Sequence, residues 1–410
     1  MKSLRHDTRL HKLLLANTFS SMGSGITMIA IPWLFLTKEG GGILLGYMTL
    51  LSTILMFVVT PYVGVIIDQL SRKKLLIIGE LLGFSVISFF IILGFMGVEY
   101  QTWHLSVLLI SGGFYYNLFY PTIFAFNQEI FDKSQYKALN GIMEVQGQLA
   151  AVLAGGIAAF LLPLINFKWI LVLDAATYLI AIGLFLTIPY KKKVSFARVT
   201  ESFFFKLTEG YRFMKQQPRL FFFLLASFIP FIVVMVTNYV FPIYIDTILA
   251  ADVSVYGMKS MVYGIGAALA GLILPILLTR IGNERAIVWL MFVFMIAVVG
   301  YIFFQHVLIF YLLTVIFAFG AAGTRVARNS LMMEVVPNDK MGRVDSLFRV
   351  IGLSIRMVLL ATFTQIIANA NIMVSFHILS VMLVGSLITI LLTYKVVRVR
   401  VINEYQAKAL

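Results

Sequence analysis

The sequence predicts an all-α integral membrane protein with twelve transmembrane helices arranged in two pseudo-symmetric six-helix bundles. Three observations carry that prediction. Of 410 residues, 60% are apolar and 12% charged, against about 45–50% and about 25% in soluble globular chains. The mean hydropathy is +0.96. The apolar residues gather into runs of the length that crosses a bilayer, about 20 residues. The basic residues sit in the short loops between those runs, the signature of membrane topology.

This composition excludes a water-soluble protein, a disordered chain and a disulfide-built scaffold. The net charge of +14 would suggest nucleic acid in a soluble protein. Here its cations do not alternate with base-stacking aromatics on a polar surface, so no nucleic-acid partner is expected. No cysteine is present, which removes disulfide and thiol chemistry. Lys2, Arg5, Arg9 and Lys12 precede an apolar stretch reaching Leu36. That stretch is too long for a signal-peptide core and reads as a retained first span.

The spans read, in order, as residues 10–36, 43–67, 75–97, 103–127, 138–162 and 168–189, then 219–248, 256–279, 286–305, 307–330, 343–368 and 372–394. They lack the period-2 alternation of barrel strands, and unpaired backbone is not tolerated in lipid, so they are helices. Pro32, Pro61, Pro121, Pro230, Pro242 and Pro275 fall inside them, where membrane helices accommodate kinks.

With both termini cytoplasmic, only Lys38, Lys168 and Lys259 lie at or near the outer face, and Arg349 and Arg356 fall within a span. That leaves 27 of the 32 Lys and Arg residues at or near the inner face, which sets the orientation. The expected location is the plasma membrane.

The longest polar interruption divides the chain into bundles 1–189 and 219–410 with a linker at 190–218. It opens with Lys191, Lys192 and Lys193. Within it, Phe203, Phe204, Leu207, Tyr211 and Met214 share a helical face from which Lys206, Glu209, Arg212 and Lys215 are excluded. The pattern suits a helix on the inner membrane surface; a disordered linker is the alternative. The halves also repeat. Glu129 and Asn140 recur as Glu334 and Asp345, both at an offset of 205 residues. Parallel six-span repeats are a transporter architecture with a substrate site near the midplane.

After the second span comes Gly64-Val65-Ile66-Ile67-Asp68-Gln69-Leu70-Ser71-Arg72-Lys73-Lys74. This resembles the loop signature of the major facilitator superfamily, Gly-x-x-x-Asp-Arg-x-Gly-Arg-Arg/Lys-Arg/Lys. Gln69 and Ser71 replace the usual Arg and Gly. The glycine permits close helix approach, and the trailing cations mark the inner face. Glu209-Gly210-Tyr211-Arg212-Phe213 through Pro218, and Gly342-Arg343-Val344, look like the macrolide-efflux-like group of drug and siderophore exporters. Two features of drug antiporters are missing: Ser111 stands where an arginine is usual, and Ala151-Val152 stands where Gly-Pro precedes Gly155-Gly156.

The resemblance implies that spans 1, 4, 7 and 10 line a central cavity. Candidates on them are Asn17, Ser20, Ser21 and Ser24, then Tyr116, Asn117 and Tyr120, then Asn238, Tyr239 and Tyr244, and finally Arg325 and Arg328. Small residues spaced by four, Gly147, Ala151 and Gly155 on span 5, with Ala267 and Gly271 and the pair Gly264 and Ala268 on span 8, suit a close helix crossing. Resemblance also brings spans 2 and 11 together. A latch of Asp68 with Arg343 or Arg349 would then close the cytoplasmic side.

Ionisable groups inside spans cost at least ~2.5–3.5 kcal/mol each, and mark function by default. Glu144, Asp174 and Glu80 are the coupling candidates, because a carboxyl taken out of water can bind and release a proton through a cycle. Arg356 could attract an anionic substrate group. No cofactor is expected, with the proton gradient as driving force. One proton crossing 100 mV supplies about 2.3 kcal/mol, enough for roughly 40-fold extrusion at about 1.4 kcal/mol per tenfold gradient.

The expected activity is proton-coupled efflux of an amphipathic small molecule of drug, macrolide or siderophore type by a functional monomer in the lipid bilayer. A lipid or lysolipid flippase, or a nutrient importer of the same fold, is the alternative. A membrane-embedded enzyme is more distant. There is no zinc-hydrolase, Walker or nucleophile-elbow motif, and His6, His11, His104, His306 and His377 are scattered.

Overall fold

The computed structural model describes residues 6–132, 135–190, 203–337, 340–369 and 371–409. Among them every regular element is a helix: α1 Thr8–Leu36, α2 Gly41–Gln69, α3 Arg72–Phe95, α4 Thr102–Ile130, α5 Tyr136–Leu161, α6 Phe167–Thr187, α7 Phe203–Lys215, α8 Pro218–Ala226, α9 Ile229–Thr247, α10 Val253–Ile281, α11 Asn283–Phe303, α12 Val307–Val335, α13 Met341–Asn369 and α14 Met373–Ala409. Twelve stretches are long and apolar enough to cross a membrane, with α8 and α9 together forming the seventh.

Helix starts follow local chemistry. Asp7 caps α1, accepting from the Arg9 amide at 2.9 Å while its carboxylate meets the Arg9 guanidinium at 2.7 Å. That guanidinium holds the Asp7 carboxyl below its usual range. Ser71 caps α3, accepting from the Lys74 amide. The serine that departs from the family loop pattern therefore starts the helix. Gly64, expected at a close approach, has nothing within 4 Å of where a Cβ would stand.

The chain divides into two compact units, residues 1–200 with 251–264, and 201–250 with 265–410. In the first, α1 packs on α4, α5 and α6, and α3 packs on α4 and α6. The second repeats this pattern: α9 packs on α12, α13 and α14, and α11 packs on α12 and α14. The repeat appears as geometry at the third-helix starts, where Glu129 and Glu334 keep the 205-residue offset while the helix-start residues Arg72 and Asn283 stand 211 apart. Arg72, first residue of α3, pairs with Glu129 at the end of α4. Asn283, first residue of α11, donates at 2.7 Å to Glu334 at the end of α12.

Lipid provides no hydrophobic drive between helices, so each unit relies on close packing. In the second, Phe241, Tyr244, Tyr301, Phe310 and Phe376 form an aromatic core, and the Tyr244 hydroxyl donates to the Tyr301 carbonyl at 2.9 Å. In the first unit, Gly155 approaches the backbone of Gly257, Ser260 and Met261, and Gly257 lies against Ala159. Gly264 meets Val152, whereas Gly147 and Gly271 meet nothing within 4 Å. Within this unit the close crossing thus lies at Gly155 and Gly257.

One expectation is corrected here. Residues 219–248 are not one helix: α8 stops at Ala226 and α9 starts at Ile229. Pro230 lacks the amide hydrogen that would continue the ladder. The helix expected within the linker is present as α7. It packs on α13 through Gly210 against the Arg343 backbone, the Glu209–Arg343 ion pair and buried Met214. Tyr211, placed on its apolar face by the sequence pattern, is exposed. Lys191, Lys192 and Lys193, and the side chains of Phe203, Phe204 and Lys206, lie outside the described residues.

Candidate functional site

Within the first unit, four helices converge on two buried carboxylates. Glu80 on α3 is fully buried, and its carboxylate accepts from Ser20 Oγ on α1 at 3.0 Å and from the Tyr115 hydroxyl on α4 at 2.9 Å. Ser20 and Tyr115 meet each other at 2.5 Å. Asp174 on α6 is 1% exposed, and Oδ2 accepts from Thr27 Oγ1 at 2.6 Å. Its Oδ1 has no hydrogen-bond partner. Gly23 makes the α1–α6 approach possible, since a Cβ there would lie 2.9 Å from Asp174 Oδ1. The Tyr178 ring sits edge-on to Tyr115 at 5.3 Å.

Both carboxylates are held by hydroxyls. Hydroxyls rotate to donate or accept, so such a site can hold a carboxyl in either protonation state. A cavity of about 420 Å³ opens beside Asp174 and Tyr115, lined by Ser24, Thr27, Ser111, Tyr115, Asp174 and Tyr178 among apolar side chains. Small-molecule pockets run to about 300–1,000 Å³, mostly apolar with a few convergent polar groups.

The sequence candidates distribute unevenly around this site. Asn17 is buried and donates to Gln146, and Ser21 bonds back to Asn17. Ser24 bonds to the Ser20 carbonyl and meets the Tyr116 hydroxyl at 3.1 Å. Asn117 accepts from Thr60 at 3.1 Å, and Tyr120 is exposed while stacking on Tyr116. Glu144, counted among the intramembrane carboxylates, is exposed on α5 and accepts from Gln148. Tyr115, Gln146 and Thr27 were not singled out in the sequence. Only the aromatic and polar character of positions 115–117 hinted at the first.

In the second unit, Tyr239 and Tyr244 are core residues at 1% and 0% exposure, while Asn238 is exposed. Arg328 on α12 is 2% exposed. Its position follows from the α8–α9 break. The Phe228 amide bonds to Leu225, which leaves the Leu224 carbonyl without its α-helical donor. Ser227 Oγ and Arg328 Nε take that carbonyl at 3.0 and 3.1 Å. The guanidinium lies over the Phe228 and Phe348 rings at 4.6 and 4.8 Å. Its Nη2 is buried without a partner, an arrangement that costs about 1–3 kcal/mol or more for a charged group. Arg356 is half-buried, with Nε also unpartnered.

Four of the gate-motif cations have local partners among the described residues. Arg72 pairs with Glu129, Lys73 donates to the Leu186 and Ile188 carbonyls, and Lys74 is exposed. Arg343 pairs with Glu209, and Arg349 with Asp345 at 2.7 Å. The Asp68 side chain, the other half of the expected latch, lies outside the described residues.

A family model described as Major Facilitator Superfamily matches residues 13–361. A search of the curated proteins returned no match. Solved structures resemble the fold closely. The nucleoside transporter NupG shares 15% identity, with 95% of this chain and 100% of that one covered and a TM-score of 0.67. A bacterial homologue of the iron transporter ferroportin, in its inward-facing state, shares 17% identity over 96% and 98%, with a TM-score of 0.66. A bacterial homologue of the human lysosomal transporter Spinster shares 12% identity over 97% and 98%, also at 0.66.

Proposed function

The chain belongs to the Major Facilitator Superfamily, and from that premise we propose that it is a proton-coupled exporter of an amphipathic organic compound of the drug, macrolide or siderophore kind, working by alternating access in the cell membrane. It is a transporter rather than an enzyme. The observation that carries the coupling is the two buried carboxylates, Glu80 held by Ser20 and Tyr115, and Asp174 held by Thr27 at the wall of a cavity. Carboxyls at membrane depth are retained for ion and substrate pathways. Proton binding and release at Glu80 and Asp174 drives the exchange, and the adjoining cavity contributes apolar surface for the cargo. Glu144, on an exposed face, has a secondary place in this scheme.

Efflux is favoured by the likeness of 209–218 and 342–344 to the macrolide-efflux-like group. The solved relatives are named for a nucleoside, for iron and for a lysosomal transporter, so cargo must be read from the cavities. Substrate-driven proton movement in proteoliposomes, with Glu80→Gln and Asp174→Asn as the diagnostic variants, is the test.

A further inference from the structure

A larger cavity, of about 520 Å³, lies wholly within the first unit, at the opposite end of α3 from Arg72, Lys73 and Lys74. It is walled where α1, α3 and α5 finish and α6 begins, and its charged lining is Lys38, Glu99 and Lys168. Trp33, Tyr100 and Phe167 supply aromatic wall. In the expected orientation this is the outer end, where Lys and Arg are scarce in membrane proteins. Lys38 and Lys168 are two of the three lysines that the charge pattern puts there, and both line this one cavity.

Local structure places each charge. At the end of α3, Gly97 takes a φ of +83°, and the Val98 amide bonds back to the Leu93 carbonyl at 3.0 Å. That turn delivers Glu99, and Tyr100 anchors it by donating its hydroxyl to the Phe90 carbonyl at 2.9 Å. Lys38 sits in the α1–α2 turn, its amide bonded to Phe35 and its carbonyl to the Gly41 amide. Lys168 is the second residue of α6, with Nζ 4.9 Å from the centroid of the Phe95 ring. A cation in the first turn opposes the helix dipole, so helix preference does not account for it. Among the described residues, neither Lys38 nor Glu99 has a side-chain hydrogen bond or ion pair. The matching connections of the second half lack these charges. Residues 248–252 hold no cation and 304–306 no carboxylate, and Val374 is second in α14 where Lys168 is second in α6.

We infer that this cavity seats the headgroup of a phosphatidylethanolamine lipid from the adjoining leaflet, with Lys38 and Lys168 on its phosphodiester and Glu99 on its ammonium. Both contacts are charge-assisted hydrogen bonds. Choline has no N–H to donate and glycerol carries no charge, so Glu99 selects the primary amine. The volume falls in the range of about 300–1,000 Å³ found for small-molecule sites. An apolar rim favours a lipid over a free phosphate ester. Phe95, Met96, Leu164 and Trp169 are exposed next to lining residues, with the Phe95 and Trp169 rings edge-on at 5.2 Å. Acyl chains lie along that surface while the aromatic wall sits at headgroup level, as interfacial Trp and Tyr do. This cavity shares no lining residue with the one beside Asp174, so the site stands apart from the coupling carboxylates.

The test is native mass spectrometry of the full-length protein, delipidated in detergent and offered equal amounts of phosphatidylethanolamine, phosphatidylcholine and phosphatidylglycerol. Soluble glycerophosphoethanolamine is titrated separately. The expected result is one saturable phosphatidylethanolamine per chain, preferred at least fivefold over the other two lipids. Lys38→Gln and Lys168→Gln each lower its affinity at least tenfold. Glu99→Gln still binds phospholipid but loses the preference for ethanolamine, and Arg219→Gln, at an exposed position in the second unit, changes nothing. Lys38 and Glu99 lie in turns, so their variants carry the test should Lys168→Gln fail to fold. Binding of phosphatidylethanolamine no tighter than the other lipids, unchanged affinity in the lysine variants, or a preference that survives Glu99→Gln overturns the inference. Glycerophosphoethanolamine binding as tightly as the lipid also overturns it, by assigning a soluble zwitterion. No gradient or transport enters the measurement, so its failure leaves proton coupling standing, and failure of coupling leaves this result standing.

Discussion

Tyr115 donates its hydroxyl to Glu80 Oε1 at 2.9 Å, joining α4 to α3 inside the first unit. Tyr115→Phe keeps the ring that packs on Phe119 and Tyr178 but removes this donor. Loss of one hydrogen bond to a buried carboxyl costs about 1–3 kcal/mol. The expected result is a lower unfolding midpoint with unchanged helical content. A phenylalanine variant as stable as the parent would remove this bond from the account.

The repeat-related pairs at the starts of α3 and α11 differ in charge. Arg72→Ala leaves Glu129 buried without its cation, which costs about 3–5 kcal/mol. Asn283→Ala removes a neutral donor from Glu334, worth about 1.5–3 kcal/mol for a bond to a charged group. Thermal unfolding of the two variants should therefore rank Arg72→Ala as the more damaging. The opposite ranking would contradict the assignment of the ion pair to the first unit.

At Gly155 an added methyl must displace the backbone of α10, and overpacking of this kind costs about 1–3 kcal/mol. Gly147 has open space at the same point, and alanine is about 1 kcal/mol better than glycine in a helix. Gly155→Ala should destabilise the purified protein, whereas Gly147→Ala should match or exceed the parent. Equal effects would show that the α5–α10 contact is looser than described.

Asp7 caps α1 and its carboxyl is held below the ordinary range by Arg9. A depressed folded-state value stabilises above the unfolded value, near about 4, and that contribution is lost as pH falls through the folded one. Asp7→Ala should cost about 1 kcal/mol at neutral pH. The gap between variant and parent should close as pH drops below about 4. A gap that stays constant into acid would rule out the charged cap.

The span pattern was legible because apolar runs and basic loops are local properties, and the Glu129–Glu334 offset survived because both residues end their helices. Rotation of each helix about its axis was not. In spans apolar on every face, periodicity says little about which side meets a neighbour. Hence the sequence points to Tyr116 where Tyr115 makes the bond to Glu80, it ranks Glu144 with Glu80 and Asp174 although Glu144 is exposed, and it assigns Tyr244 to a cavity although Tyr244 sits in an aromatic core. Gln146 and Thr27 gave no signal, since long-range partners depend on that rotation. The break at Ser227 was marked by Pro230, but prolines also lie inside α1, α2 and α4 without ending them.

Proton movement coupled to transport is the most direct test of the central claim. Proteoliposomes with an imposed pH gradient and a pH-sensitive dye inside would be challenged with dyes, macrolides, siderophores and labelled lipids. The account predicts that at least one compound drives proton movement, and that Glu80→Gln and Asp174→Asn each reduce it at least tenfold in folded protein. Transport with no proton movement, or proton movement unchanged in both variants, would contradict it.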